Sequence, residues 1–297
     1  MRQASLNVHE WFKLGDYLRF VDKKVFFISQ GEPDSETVVF LHGYPTSSYD
    51  FVYLWPGFTH YRRVTLDFLG FGYSDKPSYH NYSIAEQATI TESLLRNLGI
   101  KKAKVVAHDY AVSVAQELVA RQNEKKLTFK LESLVLLNGG IIPGAHKPRL
   151  IQTLLDGPVG PVLNALSSKF SFKLNFNAVF GKDTKPTAEE INSFWYLMNY
   201  PKKSRIAHRM LHYMKERVEF KERWVGALRD TKIPLLLING VDDPVSGGHL
   251  ADAYEKEVRQ SEIIRLSGIG HYPQVEDYPA VTEHILGFKA GGFKKAK

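Results

Sequence analysis

Ala107-His108-Asp109-Tyr110-Ala111 is the stretch whose reading decides the fold. It follows a β-branched apolar run, Lys104-Val105-Val106, and leads into a helix-like segment, Val112 to Leu118. A sharp strand-to-helix turn crowds the backbone around its central residue, so small residues are needed two positions before and two after. Ala107 and Ala111 meet that demand. The spacing is that of the nucleophile elbow usually written G-x-S-x-G. Here an aspartate occupies the serine position, and no G-x-S-x-G occurs elsewhere in the chain. The exchange moves the expected chemistry from ordinary ester hydrolysis toward attack on carbon by a carboxylate.

Around the elbow, short apolar runs alternate with helical patterns, the signature of a mostly parallel sheet with helices on both faces. Strands are expected at Tyr17–Val21, Lys24–Ile28, Val38–Leu41, Arg62–Leu66, Lys104–Ala107, Leu131–Leu137, Ile233–Ile238 and Glu262–Leu266. Helices are expected at Ile84–Leu98 and Val112–Arg121, the first with Ser83 as N-cap and Glu86 completing a capping box. The alternation stops after Leu137. Residues 143–224 are helical in pattern, aromatic-rich and free of strand signals, too long for a loop. The expected organisation is an α/β core at 1–142 and 225–297, interrupted by a helical lid at 143–224.

Composition narrows the function. The chain has 297 residues, 43% hydrophobic and 24% charged, with a formal net charge of +7 and no cysteine. Without cysteine there is no disulfide, no thiol nucleophile and no thiolate metal site, which fits a cytoplasmic setting. The first ten residues lack the apolar core of a signal peptide, and no window approaches a membrane span. The basic residues are scattered, with a Lys294-Lys295-Ala296-Lys297 tail, and no nucleic-acid motif accompanies them. A weak attraction to membrane surfaces stays open.

Three further loops follow expected strands. His42-Gly43-Tyr44-Pro45 is placed so that the backbone N–H of Tyr44, with that of Tyr110 after the elbow, forms a two-donor oxyanion hole. Gly240-Val241-Asp242-Asp243-Pro244 offers an acid able to orient a histidine, and Asp243 is the better placed of the pair. Gly268-Ile269-Gly270-His271 puts a histidine after the last strand, in the chain order nucleophile, acid, base. His42 and His108 lie too close to the strand ends to act as base and are expected to hold loops. His208 and His212 have metal-like spacing but no evident third ligand, so no metal is expected. Gly70 and Gly72 lack the third glycine of a dinucleotide loop and read as a turn bracing the floor of the site.

Together these motifs resemble the α/β-hydrolase superfamily, and the His-Asp-Tyr elbow resembles its Asp-nucleophile branch of epoxide hydrolases and haloalkane dehalogenases. Segments such as His42–Asp50, Leu66–Pro77, Asn138–Ile141, Arg223–Leu228 and His271–Gln274 are similar to the mesoderm-specific transcript protein group, whose vertebrate members look to carry an N-terminal membrane segment that this chain lacks. The resemblance implies an eight-stranded α/β-hydrolase fold and a covalent alkyl-enzyme ester on Asp109, hydrolysed by water that His271 activates with help from Asp243. It implies no cofactor. Epoxide hydrolases typically protonate the ring oxygen with two lid tyrosines, and the second half of the lid offers Tyr196, Tyr200 and Tyr213, the last where one of the pair is expected. The first half has Phe172 and Phe176 instead. Dehalogenases typically use a tryptophan after the nucleophile, where this chain has Tyr110, leaving Trp195 as a substitute. The expected substrate is a small apolar electrophile, first an epoxide, with a haloalkane, a lactone or an ester as alternatives. A non-catalytic fold that binds a ligand or protein is the reading from another class.

Overall fold

Eight strands form one sheet in the order β1-β2-β4-β3-β5-β6-β7-β8, seen in a computed structural model that describes residues 2, 4–201 and 206–293. The lysine-rich tail at 294–297 lies outside the described residues. The strands are β1 (Gly15–Phe20), β2 (Lys23–Gln30), β3 (Thr37–Leu41), β4 (Arg62–Leu66), β5 (Lys102–His108), β6 (Lys130–Leu137), β7 (Leu235–Gly240) and β8 (Glu262–Leu266). β2 pairs antiparallel with β1 and β4, and every other pairing is parallel. All eight expected strands are present. β7 starts two residues later than expected, at Leu235, because Pro234 has no N–H for a ladder.

The central parallel strands β3, β5, β6 and β7 are buried on both faces, which is why they read as apolar runs. Val38, Phe40, Val106, Val135, Leu137, Leu236 and Ile238 point to one side, against α1 (Val8–Lys13), two short 3-10 turns at Ser48–Phe51 and Trp55–Phe58, and helices near the C-terminus. Their sequence neighbours, Val39, Leu41, Val105, Ala107, Leu134, Leu136, Leu235 and Leu237, point to the other. There they meet α2 (Ile84–Asn97) and α3 (Tyr110–Asn123). Ser83 caps α2 through a bond from Glu86 N at 3.2 Å. The expected capping box is only half made, because the Glu86 carboxylate turns to His80 Nε2 at 2.6 Å.

Between β6 and β7 the chain is helical, with no strand among the described residues. Six short helices come first: α4 (Leu150–Leu155), α5 (Gly160–Ala165), α6 (Lys169–Asn177), α7 (Ala188–Met198), α8 (Ala207–Met210) and α9 (Tyr213–Glu219). α10 (Lys221–Asp230) then packs on α3, with Arg223 Nε and Trp224 Nε1 both donating to Glu117 Oε2, at 2.8 and 2.9 Å. The helix that returns to the core thus begins at Lys221, four residues before Val225, where the core is expected to resume. The last helices are α11 (Gly248–Glu257), α12 (Pro273–Glu276) and α13 (Tyr278–Gly287).

In the parallel register, Leu41 lies beside Ala107, Ala107 beside Leu136, Leu137 beside Ile238, and Gly240 beside Leu266. The C-terminal ends of β3, β5, β6, β7 and β8 therefore open at one edge, where ligands bind in open α/β sheets.

Candidate active site

The elbow is strained where the sequence requires it. Asp109 follows β5 directly and has φ 45° and ψ −101°, a region that residues with a Cβ rarely enter. Its surroundings are as crowded as the small flanking residues imply. A Cβ on Gly139 would stand 2.8 Å from Asp109 Cα, and one on Gly43 would stand 2.8 Å from Asp109 Cβ. Glycine at these two positions lets the loops after β3 and β6 close on the elbow.

The Tyr44 backbone N–H donates to Asp109 Oδ2 at 3.0 Å. The other carboxylate oxygen, Oδ1, stands 3.8 Å from His271 Nε2. Tyr110 opens α3, so its N–H is one of the first-turn donors that have no partner within the helix. His271 Nδ1 and Asp243 Oδ2 are 2.7 Å apart. Asp243 is nearly fully buried yet well supplied with donors, from Val245 N at 2.8 Å, Ser246 N at 3.0 Å, Ser246 Oγ at 2.6 Å and Asn138 Nδ2 at 3.0 Å. Burial alone would raise the Asp243 carboxyl. The His271 charge and these bonds outweigh it and hold the group at about 2. For His271, burial opposes the charge, but Asp243 and then Asp109 hold the proton more strongly and lift the group to about 9.

His42 and His108 hold loops, as their positions imply. The carbonyl of His271 can only accept, so His108 Nε2 donates to it at 2.8 Å. That bond fixes the backbone of the loop after β8. Behind it lies the buried Asp50, which accepts from Thr46 Oγ1 at 2.6 Å. His42 Nδ1 donates to Gly43 O at 2.8 Å, and its Nε2 accepts from Phe68 N at 3.0 Å. Burial pushes His42 down to about 3, so it is neutral. The Gly70/Gly72 turn is tied to the loop after β3 by Asp67, which accepts from Ser48 N at 2.8 Å and Tyr73 N at 2.6 Å.

The insertion divides the aromatic candidates. Tyr213 is buried against the elbow, with its ring centroid 4.9 Å from that of Tyr110 and 6.3 Å from that of Tyr44. Its hydroxyl is raised by burial and by the Asp109 charge, with Arg217 opposing. Phe176 packs on Tyr272, the residue after His271, at 4.9 Å. Phe172 stacks on Phe176 at 5.0 Å and meets Trp195 at a tilt at 5.6 Å, one layer farther out. Tyr200 packs on Tyr73 at 4.8 Å. Tyr196 is 37% exposed and meets His9 edge-on. The last two lie outside the cluster of rings around Asp109 and His271.

Two side chains in this site were not singled out from sequence. Asn138, directly after β6, ties that strand end to the end of β7 and its loop: its Nδ2 donates to Asp243 and to Gly240 O at 3.0 Å, and its Oδ1 accepts from Gly240 N at 2.7 Å. Its place directly after a strand and before Gly139-Gly140 is the signal that could have marked it. Arg217, on α9, is buried and donates from Nη2 to Asp109 O at 2.9 Å and from Nε to Ser113 Oγ at 2.8 Å. Its guanidinium lies 4.5 Å from the Tyr213 ring centroid. A charged residue in a helix that also carries Lys215, Glu216 and Glu219 gives no such signal. Among the described residues, no group of three or more His, Cys, Asp or Glu side chains is arranged to hold a metal.

Residues 36–278 match the alpha/beta hydrolase fold family. The chain is 40% identical to the mesoderm-specific transcript protein of Mus musculus over 301 residues, covering 96% of this chain and 89% of that protein. It is 39% identical to "Putative hydrolase LipZ" of Mycobacterium tuberculosis over 283 residues, covering 95% and 98%. The crystal structure of haloalkane dehalogenase DbeA from Bradyrhizobium elkani superposes with a TM-score of 0.76 at 23% identity, covering 94% of this chain and 99% of that one. At that identity the likeness concerns the fold alone.

Proposed function

This chain belongs to the α/β-hydrolase fold family and is a hydrolase, and within that family we propose that it works through Asp109 as a covalent nucleophile, most readily on epoxides. The supporting observation is the unequal treatment of the two Asp109 oxygens. Oδ2 accepts the Tyr44 N–H at 3.0 Å, while Oδ1 stands 3.8 Å from His271 Nε2. One oxygen sits where an oxyanion needs its donor; the other is left to attack.

The steps balance without any group beyond the chain and water. Oδ1 attacks a ring carbon, the C–O bond opens toward oxygen, and the Tyr213 hydroxyl gives that oxygen its proton. Tyr213 suits this role because burial and the Asp109 charge keep it protonated at neutral pH. His271, oriented by Asp243, next takes a proton from water, and the hydroxide adds to Asp109 Cγ. The Tyr44 and Tyr110 N–H groups hold the resulting oxyanion. Collapse expels the product oxygen, which takes the proton from His271. The proton left on the Asp109 carboxyl restores Tyr213.

Esterification also prepares the base. It removes the Asp109 charge, one of the contributions holding the His271 proton, so that proton leaves at lower pH than in the resting enzyme. The helical insertion acts as a lid, and Phe176, backed by Phe172 and Trp195, supplies an apolar wall that selects a small apolar substrate. Dehalogenation fits less well, because Trp195 packs against Phe172 in the outer layer. A single turnover in oxygen-18 water tests the assignment. The first diol should carry the old Asp109 oxygen, with the label in the enzyme; label in that first product would mean direct attack by water and exclude the ester.

A further inference from the structure

The outer face of the insertion is apolar where exposed helices are normally polar. From α4 through α6, Leu150 is 73% exposed, Val162 60%, Leu166 74%, Phe170 72% and Leu174 55%. Leu150 precedes the exposed Leu154 by four residues on α4, and Phe170 precedes Leu174 by four on α6, so each helix carries a stripe on its outer side. The charges are one-sided as well. Lys147, Lys169 and Lys173 are exposed and have no carboxylate partner within 4 Å among the described residues. The single acid in this stretch, Asp156, is already paired with Lys215 at 3.2 Å.

We propose that the outer face of α4–α6 docks on an anionic lipid surface. Exposed leucine and phenylalanine side chains enter the acyl boundary while the flanking lysines meet the headgroups, the division of labour of an interfacial helix. A second copy of the chain fits the charges poorly, because a two-fold contact sets a patch against itself and would bring the unpaired lysines together. The docking does not depend on the reaction assigned to Asp109. Its link to substrate does: Asn164 and Ser167, between the exposed Val162 and Lys169, line a narrow cavity that reaches Tyr44. With the Asp109 chemistry in place, an apolar substrate would enter from the lipid.

Co-sedimentation of the full chain with vesicles tests this without any turnover. One set would be phosphatidylcholine alone and the other would include about 30 mol % phosphatidylserine. The protein should bind the anionic set, and added salt should weaken that binding. Leu166→Ser/Phe170→Ser and Lys169→Glu/Lys173→Glu should each bind at least about tenfold more weakly with an unchanged melting temperature. Val21→Asn, which removes an exposed apolar side chain from the β1–β2 turn, should bind as the parent does. Equal binding to neutral and anionic vesicles, or full binding by both double variants, would overturn the proposal. So would a dimer that Leu166→Ser/Phe170→Ser dissolves in a protein that ignores vesicles.

Discussion

The strand-end loops and the helical insertion face each other across the site, and the balance of forces that holds each is different. At the strand ends each functional group is fixed by directed hydrogen bonds: Asp243 has four donors besides His271, and the loop carrying His271 is tied through its carbonyl to His108. The insertion meets the site mainly through packed aromatic rings and one buried guanidinium, with Val179 O accepting from His271 N at 2.8 Å as its backbone tie, and its outer side presents bare apolar side chains. Directed bonds fix geometry to tenths of an ångström; apolar stacking excludes water but tolerates repacking. On the proposed mechanism, reaction type should therefore belong to the strand ends, while the insertion should govern which molecule reacts.

Substitutions can break that division. Asp243→Asn should have the largest effect, lowering the rate of ester hydrolysis by about 10²–10⁴ through loss of the orienting anion. It should also move the pH profile. In the proposed mechanism neutral His271 is the active form, so activity should rise with pH as its proton leaves. Asp243 holds that proton, lifting the group to about 9 against burial. Without the carboxylate, burial prevails and the rising limb should move to lower pH. An unmoved limb in a pH–rate profile would mean another group controls it.

Tyr213→Phe should come next, slowing ester formation about 10²-fold while leaving hydrolysis of a preformed ester intact; pre-steady-state kinetics separate the two. Arg217→Met tests the contact between the regions. It removes the bonds to Asp109 O and Ser113 Oγ, and urea unfolding should register a loss of about 1.5–3 kcal/mol. The smallest change should come from Tyr196→Phe, whose ring meets His9 at the surface, with kcat/KM kept within about twofold. A large loss there would redraw the boundary of the pocket.

The two regions also differ in how much of each can be read along the chain. The strands and the chain order of Asp109, Asp243 and His271 are visible in sequence because both faces of the sheet are buried and each site loop directly follows its strand. His42 and His108 are placed correctly as loop holders for the same reason. In the insertion, helices of four to eleven residues leave little periodicity to count, so helical character is legible but helix boundaries and inward faces are not. Of the three lid tyrosines, Tyr213 is the one that stands where the resemblance puts a member of the pair, and of the three only Tyr213 packs against the elbow. Asn138 and Arg217 act on partners more than a hundred residues away, a relation that local spacing does not encode.

The central claim is the ester on Asp109, and intact-protein mass spectrometry of the His271→Gln variant reaches it directly. After exposure to mixed epoxides, haloalkanes and lactones, the variant should retain an adduct with the mass of a whole epoxide, located on the peptide containing Asp109. An alkyl adduct without halogen would keep the nucleophile but make the reaction dehalogenation. A protein that turns over a substrate, yet whose variant accumulates no adduct on Asp109, would contradict the account.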